Sequence, residues 1–409
     1  PPRSTQKWTL FPYTTLFLSL NLAKVPHKLL FILHVLKEEN TTAWFAQYEQ
    51  FLDKVNWEAF LKLAKHHRLF PLLYQQLKRI DNSSVPDYVL RYLKAMYQQN
   101  TFQMMHLTAE MNHLNQQFLT KDIRTIFLKG PVLAQELYGD ISLRTSCDLD
   151  VLIPLENLGD AEALLIQLGY EKDDYIETIL GDWTWRHHHV TYFHREKGVK
   201  CELHWRLNPG PSFEPGFDDL WNRKKKSSLL NETIYMLGKE DLFFFLATHG
   251  ARHGWSRLRW LVDIHRLLGQ EVNWHQAVHL FNKYHFQRIG GQALLLSENL
   301  LNTETAMEVK VLLDKKSRQL AQQAIFYLQS MVNLHTDPVP QNVSDYHGKH
   351  LFSLMSYQQK LLYMLSCMFP FPEDAETLPL PKFLHFLYVP LRPFLWAWRK
   401  TRGQTVLKT

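Results

Sequence analysis

Two acidic residues inside an apolar run constrain the fold of this chain more than any other feature. Asp148 and Asp150 alternate with Leu149 and Val151 in the segment CDLDVLI. Apolar runs of this length are typical of buried strands, and side chains along a strand alternate between its two faces. Asp148 and Asp150 are therefore predicted to share the face opposite the apolar residues. Because neighbouring carboxylates repel, this face is predicted to bind a hard cation such as Mg²⁺.

A strand, a glycine turn and a helix are predicted just before the acidic pair. Residues 125–128 form a short apolar strand, and Pro131 suits the first position of the helix PVLAQELYG. A helix N-terminus offers backbone N–H groups to a phosphate, and Lys129 adds a full charge beside it. We expect Lys129 to contact nucleotide phosphates; the alternative is a structural ion pair with Asp148 or Asp150.

A third acid lies on a predicted hairpin downstream. The segment HHHVTYFHREKGVKCELHW is predicted to turn at Lys197–Gly198, with Glu202 between two apolar residues of the second strand. His204 shares the face of Glu202 and is a candidate substrate or water contact. Three carboxylates on adjacent strands, facing a helix N-terminus, form the arrangement that metal-dependent phosphoryl or nucleotidyl transfer requires.

Several segments resemble a known family. FLKGPVLAQELYGD, LRTSCDLDVLIP, CELHW and HGARHGWSRLRWLVDIHRLL are similar to a bacterial family of uncharacterised nucleotidyltransferases within the polymerase-β-like nucleotidyltransferase superfamily. NWEAFLKLAKHHRLFPLLYQQL extends this resemblance, which spans roughly residues 57–274. One departure concerns the phosphate contacts, because Lys-Gly-Pro replaces the Gly-Ser found in many superfamily members and the acidic pair follows after a longer gap.

The resemblance implies both a site and a reaction. Asp148, Asp150 and Glu202 would be catalytic ligands of two Mg²⁺ ions, and Gly130 would be the glycine that contacts the nucleotide phosphates. The reaction would move a nucleoside monophosphate from an NTP to a hydroxyl-bearing acceptor and release pyrophosphate. The implied fold is α+β: a polymerase-β-like core, with a small mixed sheet and helices, flanked by N- and C-terminal helical segments.

Other polar residues have two interpretations each. Arg144 is either a clamp for the triphosphate or one partner of a surface salt bridge. His187, His188 and His189 are predicted to alternate along a strand, so that they cannot all face one ion. His249 and His253 have the i, i+4 spacing of zinc ligands, but the glutamate of a zinc-protease helix is absent. We therefore favour a packed polar cluster for this pair, or a position on the acceptor side of a cleft.

The distribution of charge argues against an extended nucleic-acid groove. Of the net charge of +6, residues 1–40 carry +3, residues 391–409 carry +5 and the body of the chain carries −2. Phosphate-tracking grooves normally show clustered Lys and Arg within the folded part. A small molecule or a protein is therefore favoured as the acceptor. Three cysteines without metal or disulfide spacing, two of them on predicted core faces, indicate a reduced, cytoplasmic protein.

The predicted organisation has five parts: an unassigned segment 1–40, a helical segment 41–121, the α/β core 122–207, a helical substrate-side domain 208–335 and a helical, basic tail 336–409. No transmembrane segment is predicted, because prolines and Arg392 interrupt the last apolar run. This aromatic tail is predicted to pack on the protein's own helices, with contact at a membrane surface as the alternative.

Two alternatives to an enzyme of this class stay open. The first is a non-catalytic module with the same fold, for example a partner-binding protein of a biosynthetic or toxin–antitoxin system. Convergence of the three acids favours the enzyme, whereas Lys129 in the cation position favours the binding module. The second is a zinc hydrolase built on His249 and His253, which predicts tightly bound zinc.

Overall fold

A computed structural model describes residues 19–23, 25–37, 55–79, 85–173, 176, 178–334 and 338–401. Parts of the predicted segments lie outside these residues. They include residues 1–18, 24 and 38–40 of the unassigned segment, residues 41–54 and 80–84 of the helical segment, and the last eight residues of the basic tail.

The N-terminal half of the described chain is helical, as its apolar spacing predicts. The helices are α1 His27–Lys37, α2 Trp57–His66, α3 Phe70–Leu77 and α4 Asp87–Thr120. Asn56 begins α2 as its N-cap, since the Asn56 side chain accepts a hydrogen bond from the Ala59 amide at 2.9 Å. The 34-residue α4 contacts β2 Asp148–Leu152, which carries the acidic pair.

A seven-stranded mixed sheet follows, in the order β3-β4-β5-β2-β1-β7-β6. Its strands are β1 Ile126–Phe127, β2, β3 Glu171–Lys172, β4 His189–His194, β5 Val199–His204, β6 Lys225–Lys226 and β7 Tyr235–Met236. Between them lie α5 Pro131–Tyr138, α6 Leu158–Gln167, α7 Trp183–Arg186 and α8 Phe217–Asn222. The sheet continues to residue 236, past the predicted core boundary at residue 207, because β7 pairs in parallel with β1.

The predicted strand, glycine turn and helix are confirmed. β1 ends at Phe127, and α5 begins at Pro131 directly after Gly130. Gly130 has φ +75° and ψ −140°, a backbone conformation that side chains with a Cβ rarely adopt. A Cβ at this position would lie 3.5 Å from the carbonyl oxygen of Asp148. Glycine therefore allows the turn to lie close to the start of β2.

The predicted hairpin is also confirmed. β4 and β5 pair antiparallel, with His194 opposite Val199 on either side of the turn. Leu149 and Val151 of β2, like Cys201 and Leu203 of β5, are completely buried. The strand period thus places the apolar residues in the core and leaves the opposite face to the acids.

Cys147 departs from the prediction. Cys147 is exposed whereas Cys201 is buried, and all three cysteines are free thiols. β2 begins only at Asp148, so the alternation along the strand does not extend back to Cys147. The core-face prediction is therefore right for Cys201 and wrong for Cys147.

A buried carboxylate joins α4 to the hairpin. Glu110 accepts hydrogen bonds from the Lys197 ammonium at 2.7 and 2.8 Å and from the Tyr170 hydroxyl at 2.8 Å. Burial raises the pKa of Glu110, but the bonds from Lys197 and Tyr170 outweigh it, so the pKa is lowered overall. This contact holds the turn of the hairpin against the long helix.

We expect Glu110→Gln to lower the free energy of unfolding by about 1 kcal/mol at neutral pH. Because the folded-state pKa is lowered, this stability is present above the pKa of the unfolded state and is lost as the pH falls through the folded-state value. Urea unfolding of both proteins between neutral and acidic pH measures the difference. A difference that does not shrink on acidification would contradict this assignment.

Helices continue after the sheet. They are α9 Lys239–Arg252, α10 Leu258–Leu268, α11 Trp274–Lys283, α12 Gln287–Leu301, α13 Lys315–Gln329, α14 Gln341–Leu354, α15 Tyr357–Ser366, α16 Pro372–Thr377 and α17 Tyr388–Thr401. Short 3₁₀ turns span Ile141–Leu143, Leu155–Asn157, Met307–Leu312 and Lys382–Leu387. Among the described residues, no helix is long and apolar enough to cross a membrane.

The C-terminal segment docks through charge and leaves aromatic residues outside. Arg392 and Arg399 bond the buried Asp374 at 2.9 and 2.7 Å. Phe394 and Trp396, on the same helix, are 72% and 52% exposed. The prediction that the aromatic tail packs on the protein's own helices is therefore wrong for these two side chains, because no neighbouring element of the described residues covers either ring.

Candidate active site

The acids of the two central strands are adjacent because β2 and β5 run in parallel and in register. Asp150 lies opposite Glu202, and Asp148 lies opposite Lys200. Residues two apart on a strand share a face, so all four of these side chains project from the same side of the sheet. His204, opposite Leu152, is the next residue of β5 on that side.

Asp150 is the buried centre of the site. Its Oδ1 lies 2.9 Å from the Lys129 ammonium and 3.2 Å from His204 Nε2. Burial raises the pKa of Asp150, but the Lys129 charge and the His204 hydrogen bond outweigh it, so the pKa is lowered. Its Oδ2 is buried and has no hydrogen-bond partner. Such an oxygen is costly unless a cation or a donor reaches it.

Glu202 shares His204 with Asp150. His204 Nε2 lies 3.4 Å from Glu202 Oε2, and the Lys200 ammonium lies 2.5 Å from Glu202 Oε1. Burial lowers the pKa of His204, but its hydrogen bonds to Asp150 and Glu202 raise it overall. Burial raises the pKa of Glu202, and the His204 hydrogen bond and charge bring it well below its ordinary value. This geometry stabilises two carboxylates around an imidazolium.

Two groups of described residues have donor atoms close enough to hold one metal ion. In each group the ligand atoms all lie within 4.8 Å of one another: Asp150, Glu202 and His204 in the first, and His188, His189 and His204 in the second. The first group fits a divalent cation, since it offers two carboxylates and a partnerless buried oxygen.

Asp148 lies at the edge of this cluster. Its Oδ2 is 3.9 Å from the Lys200 ammonium, and its Oδ1 accepts a hydrogen bond from Ser146 at 3.2 Å. Asp148 belongs to neither group of close donor atoms. The structure thus brings Asp150 and Glu202 together. Asp148 is further from Glu202, and the Lys200 ammonium lies near both carboxylates.

The predicted alternation of the histidines is wrong for His188 and His189, whereas His187 belongs to neither group of close donor atoms among the described residues. His188 and His189 both line the same cavity, and their rings lie 4.3 Å apart, centroid to centroid. β4 begins only at His189, so strand alternation does not separate the two rings. Burial, and then the neighbouring His204, lowers the pKa of His189 to about 3, which leaves a neutral imidazole able to bind a metal.

A cavity of about 710 Å³ opens onto these residues. Asp148, Glu202 and His204 line it, and its other walls are strongly cationic. The cationic lining residues are Arg68, Lys129, Arg144, Lys200, Arg252, Arg257 and Arg259. Arginine and lysine are the side chains that bind phosphate oxygens, so the cavity suits a polyphosphate.

Arg144 is one of the lining residues, and its charge is already paired. Its Nε and Nη2 donate to the carboxylate of Asp263 at 3.0 Å each, and both side chains are buried. The Tyr138 hydroxyl donates to the same carboxylate at 2.7 Å. The pair is neither a free phosphate clamp nor an exposed surface bridge. Only Nη1 of Arg144 is buried without a partner.

The remaining candidates are less central. Gly130 is buried and is not among the residues that line the cavity. His249 and His253 both line it, with ring centroids 4.6 Å apart, but belong to neither group of close metal donors among the described residues. Burial lowers the pKa of His249 well below its ordinary value. A neutral, buried His249 ring packed beside His253 agrees with a packed polar cluster at the cavity wall.

Arg68 and Lys200 were not recognised as site residues from the sequence. Arg68 follows α2 and reaches the cavity from a segment 80 residues before Asp148, with its Nη1 3.9 Å from Cys147 Sγ. No pattern in the sequence around Arg68 predicts such a contact. Lys200 could have been found, because it shares the strand face of Glu202 two residues away.

We expect Lys129→Met to lower the free energy of unfolding by about 2 kcal/mol, because it removes the cation nearest a buried carboxylate. The observed pair with Asp150 favours the structural alternative for Lys129, which also predicts a nearly unchanged affinity for NTP. Thermal melts and NTP titrations of both proteins measure the two quantities. Lys172→Met, at the half-exposed pair with Glu162, is the matched control. An unchanged melting temperature with weakened NTP binding would instead assign Lys129 to the phosphates.

The comparison with family models identifies the class. A model described as "Uncharacterised nucleotidyltransferase" matches residues 53–302. The chain therefore belongs to this family, which supports nucleotidyl transfer as its general activity and an NTP as a substrate. The match covers α2 to α12 and thus the whole sheet and the residues that line the cavity, apart from Asn333. Searches of curated proteins and of solved structures found no match.

Proposed function

We propose that this protein is a metal-dependent nucleotidyltransferase with a polymerase-β-like core, which transfers a nucleoside monophosphate from an NTP to a hydroxyl-bearing acceptor. The observation that carries the proposal is the position of Glu202 and His204 at one wall of a cavity whose other walls carry arginines and lysines, with the buried Asp150 in contact with His204. Carboxylates can hold a cation beside the α-phosphate, and basic residues of the other walls can bind phosphate oxygens.

The reaction exchanges one phosphorus–oxygen bond for another. The acceptor oxygen bonds to the α-phosphorus, the bond from that phosphorus to the bridging oxygen of the β-phosphate breaks, and pyrophosphate leaves. The hydroxyl proton passes to solvent. The cavity contributes by placing the acceptor in line with the leaving group and by stabilising the charge on pyrophosphate.

Asp150 and Glu202, with Asp148 beside them, would hold divalent ions, for which Mg²⁺ is the best match to the carboxylate oxygens. Such ions would polarise the α-phosphate and lower the pKa of the acceptor hydroxyl. Lys129 and Lys200 hold the same carboxylates ionised and in place at 2.9 and 2.5 Å.

The same two lysines favour the second candidate, a non-catalytic binding module. Their ammonium groups contact the acids that would bind the metal, and a fixed ammonium can replace a divalent ion as the local countercharge. This alternative predicts NTP binding without turnover.

The test follows an α-labelled NTP. We expect pyrophosphate release and retention of the label on an acceptor from cell extract, with each of the four NTPs tried in turn. Chelation of divalent ions should abolish both, and added Mg²⁺ should restore them. NTP binding without pyrophosphate release in the presence of Mg²⁺, Mn²⁺ and extract would support the binding module and refute the enzyme.

A further inference from the structure

Four arginines of the cavity have no acidic partner. Arg144 pairs with Asp263, whereas no carboxylate of the described residues lies within ion-pair distance of Arg68, Arg252, Arg257 or Arg259. Salt bridges would be expected for guanidinium groups inside a protein, because a buried charge without a close counter-charge is costly. Acidic residues act on two of these arginines only from beyond ion-pair distance: Glu214, Glu202 and Asp150 on Arg252, and Asp263 and Asp148 on Arg259. A bound anion would supply a closer counter-charge.

Two of these arginines contact the loop that leads into Asp148, and a third, Arg257, lies close enough to Arg68 for their charges to interact. Arg259 donates to the Thr145 hydroxyl at 2.8 Å and to the Thr145 carbonyl, and Arg68 contacts Cys147. Arg257 donates to Asn333 Oδ1 at 2.8 Å and to the imidazole and carbonyl of His66. We define these three side chains, Arg68, Arg257 and Arg259, as the arginine cluster.

The members of the arginine cluster repel one another. Burial, followed by the charges of Arg144 and Arg68, lowers the pKa of Arg259 to about 9. Burial and the charge of Arg68 also lower the pKa of Arg257. The Nε of Arg259 is buried, and none of the described residues accepts a hydrogen bond from it. The cluster is therefore built to receive an oxyanion, and one bound there would satisfy both the charge and the open donor.

The charges of the whole site indicate which substrate supplies this anion. Lys129, Lys200 and Arg144 are each paired with an acid. Two divalent ions at the carboxylates would neutralise about four negative charges of an NTP. The cluster would then still be uncompensated. A cationic acceptor would add to this repulsion.

Resting on the proposed function, we infer that the acceptor is an anionic hydroxyl compound carrying a phosphate group, which the arginine cluster binds. The cluster adjoins Asp148 through the loop 145–147, so the acceptor's phosphate would lie beside the metal-binding strand. Its free hydroxyl could then reach the α-phosphate, which the carboxylates position.

The test measures binding at a second site, without turnover. The protein is saturated with Mg²⁺ and a non-hydrolysable NTP analogue and titrated with glycerol 3-phosphate or glycerol in a calorimeter. We expect glycerol 3-phosphate to bind and glycerol not to bind. Arg68→Gln should weaken the binding of glycerol 3-phosphate by about tenfold or more, because a charge-assisted bond to phosphate is lost. The same substitution should change the affinity for the NTP analogue less than twofold. Arg195→Gln, on the exposed hairpin surface, is the matched control.

Three outcomes would overturn the inference. Absence of glycerol 3-phosphate binding to the saturated protein would remove the acceptor site. Equal affinity of wild type and Arg68→Gln for glycerol 3-phosphate would mean that its phosphate binds outside the arginine cluster. A tenfold loss of analogue affinity in Arg68→Gln would assign the cluster to the triphosphate. Failure of the proposed function appears separately, as absent pyrophosphate release in the labelled assay.

The C-terminal segment carries a second, independent inference. Phe383 and Phe386, in the 3₁₀ turn before α17, are 76% and 62% exposed, and Phe394 and Trp396 of α17 are similarly exposed. Arg399 of α17 bonds Asp374 of α16. This bond fastens α17 to α16, while the four aromatic rings stay exposed.

The charge of this segment matches an anionic surface. Residues 377–409 contain six Lys or Arg residues and no Asp or Glu. Arg392 and Arg399 pair with Asp374, which leaves four basic residues of this stretch for an anionic partner. Exposed aromatic rings with neighbouring basic residues are typical of segments that lie in the interface of an anionic membrane. We propose that the surface formed by Phe383, Phe386, Phe394 and Trp396 docks on anionic phospholipid.

Vesicle co-sedimentation tests this surface. We expect the protein to bind phosphatidylcholine vesicles that contain phosphatidylglycerol, and to bind pure phosphatidylcholine vesicles weakly. The double variant Phe394→Ser/Trp396→Ser should bind about tenfold more weakly, because two interfacial rings are lost. Phe102→Ser, which removes an equally exposed ring on α4, should bind like wild type. Unaltered vesicle binding by the double variant would refute the proposal. The proposal would also be refuted if the wild-type protein self-associates and the double variant does not, because this face would then be an interface between copies of the chain.

Discussion

Asp150→Asn should lower the rate of nucleotidyl transfer by about 10³-fold or more at saturating NTP and Mg²⁺. Asp150 is completely buried, and its Oδ2 has no hydrogen-bond partner among the described residues. The asparagine keeps the size of the side chain but loses the negative charge that would hold a divalent ion. The loss therefore falls on charge stabilisation in the transition state and not on packing.

Release of pyrophosphate from labelled NTP measures this effect. Asp160→Asn is the matched control, because Asp160 is exposed on α6 and should leave the rate unchanged. Thermal melts of the Asp150 variant show whether it is folded, since Lys129 loses its partner in the same substitution. A rate within tenfold of wild type for a folded Asp150→Asn would refute the catalytic assignment.

Asp263→Asn should lower the free energy of unfolding by about 3–5 kcal/mol, since it leaves the buried Arg144 guanidinium without its counter-charge. Asp263 accepts bonds from Arg144 Nε and Nη2 at 3.0 Å each and from the Tyr138 hydroxyl at 2.7 Å. These contacts join α10 to α5 and to the segment before β2. Their loss should therefore also loosen the loop that carries Asp148.

Urea unfolding followed by tryptophan fluorescence measures the change. Glu171→Gln breaks an ion pair of similar length, 2.7 Å from Arg195, whose side chains are 56% and 76% exposed. That control should cost less than about 1 kcal/mol, because solvent screens exposed pairs. Equal effects of the two substitutions would mean that the Arg144–Asp263 pair is hydrated and contributes no special stability.

The sequence by itself determined the local elements that carry the acids. Strand periodicity placed Asp150 and Glu202 on polar faces, Pro131 marked the start of α5, and Lys197–Gly198 marked the hairpin turn. These predictions succeed because backbone preferences and alternation act over a few neighbouring residues. They fail where an element has not yet begun, as at Cys147 and His188, each one residue before its strand.

Only the tertiary structure decided which side chains meet across the cavity. Asp150 and Glu202 are 52 positions apart in the sequence. They lie side by side because β2 pairs in parallel with β5. Arg257 meets His66 across 191 positions, and Arg144 meets Asp263 across 119. Such contacts depend on how whole elements pack, and charge alone does not distinguish among the many possible partners of an arginine in a sequence.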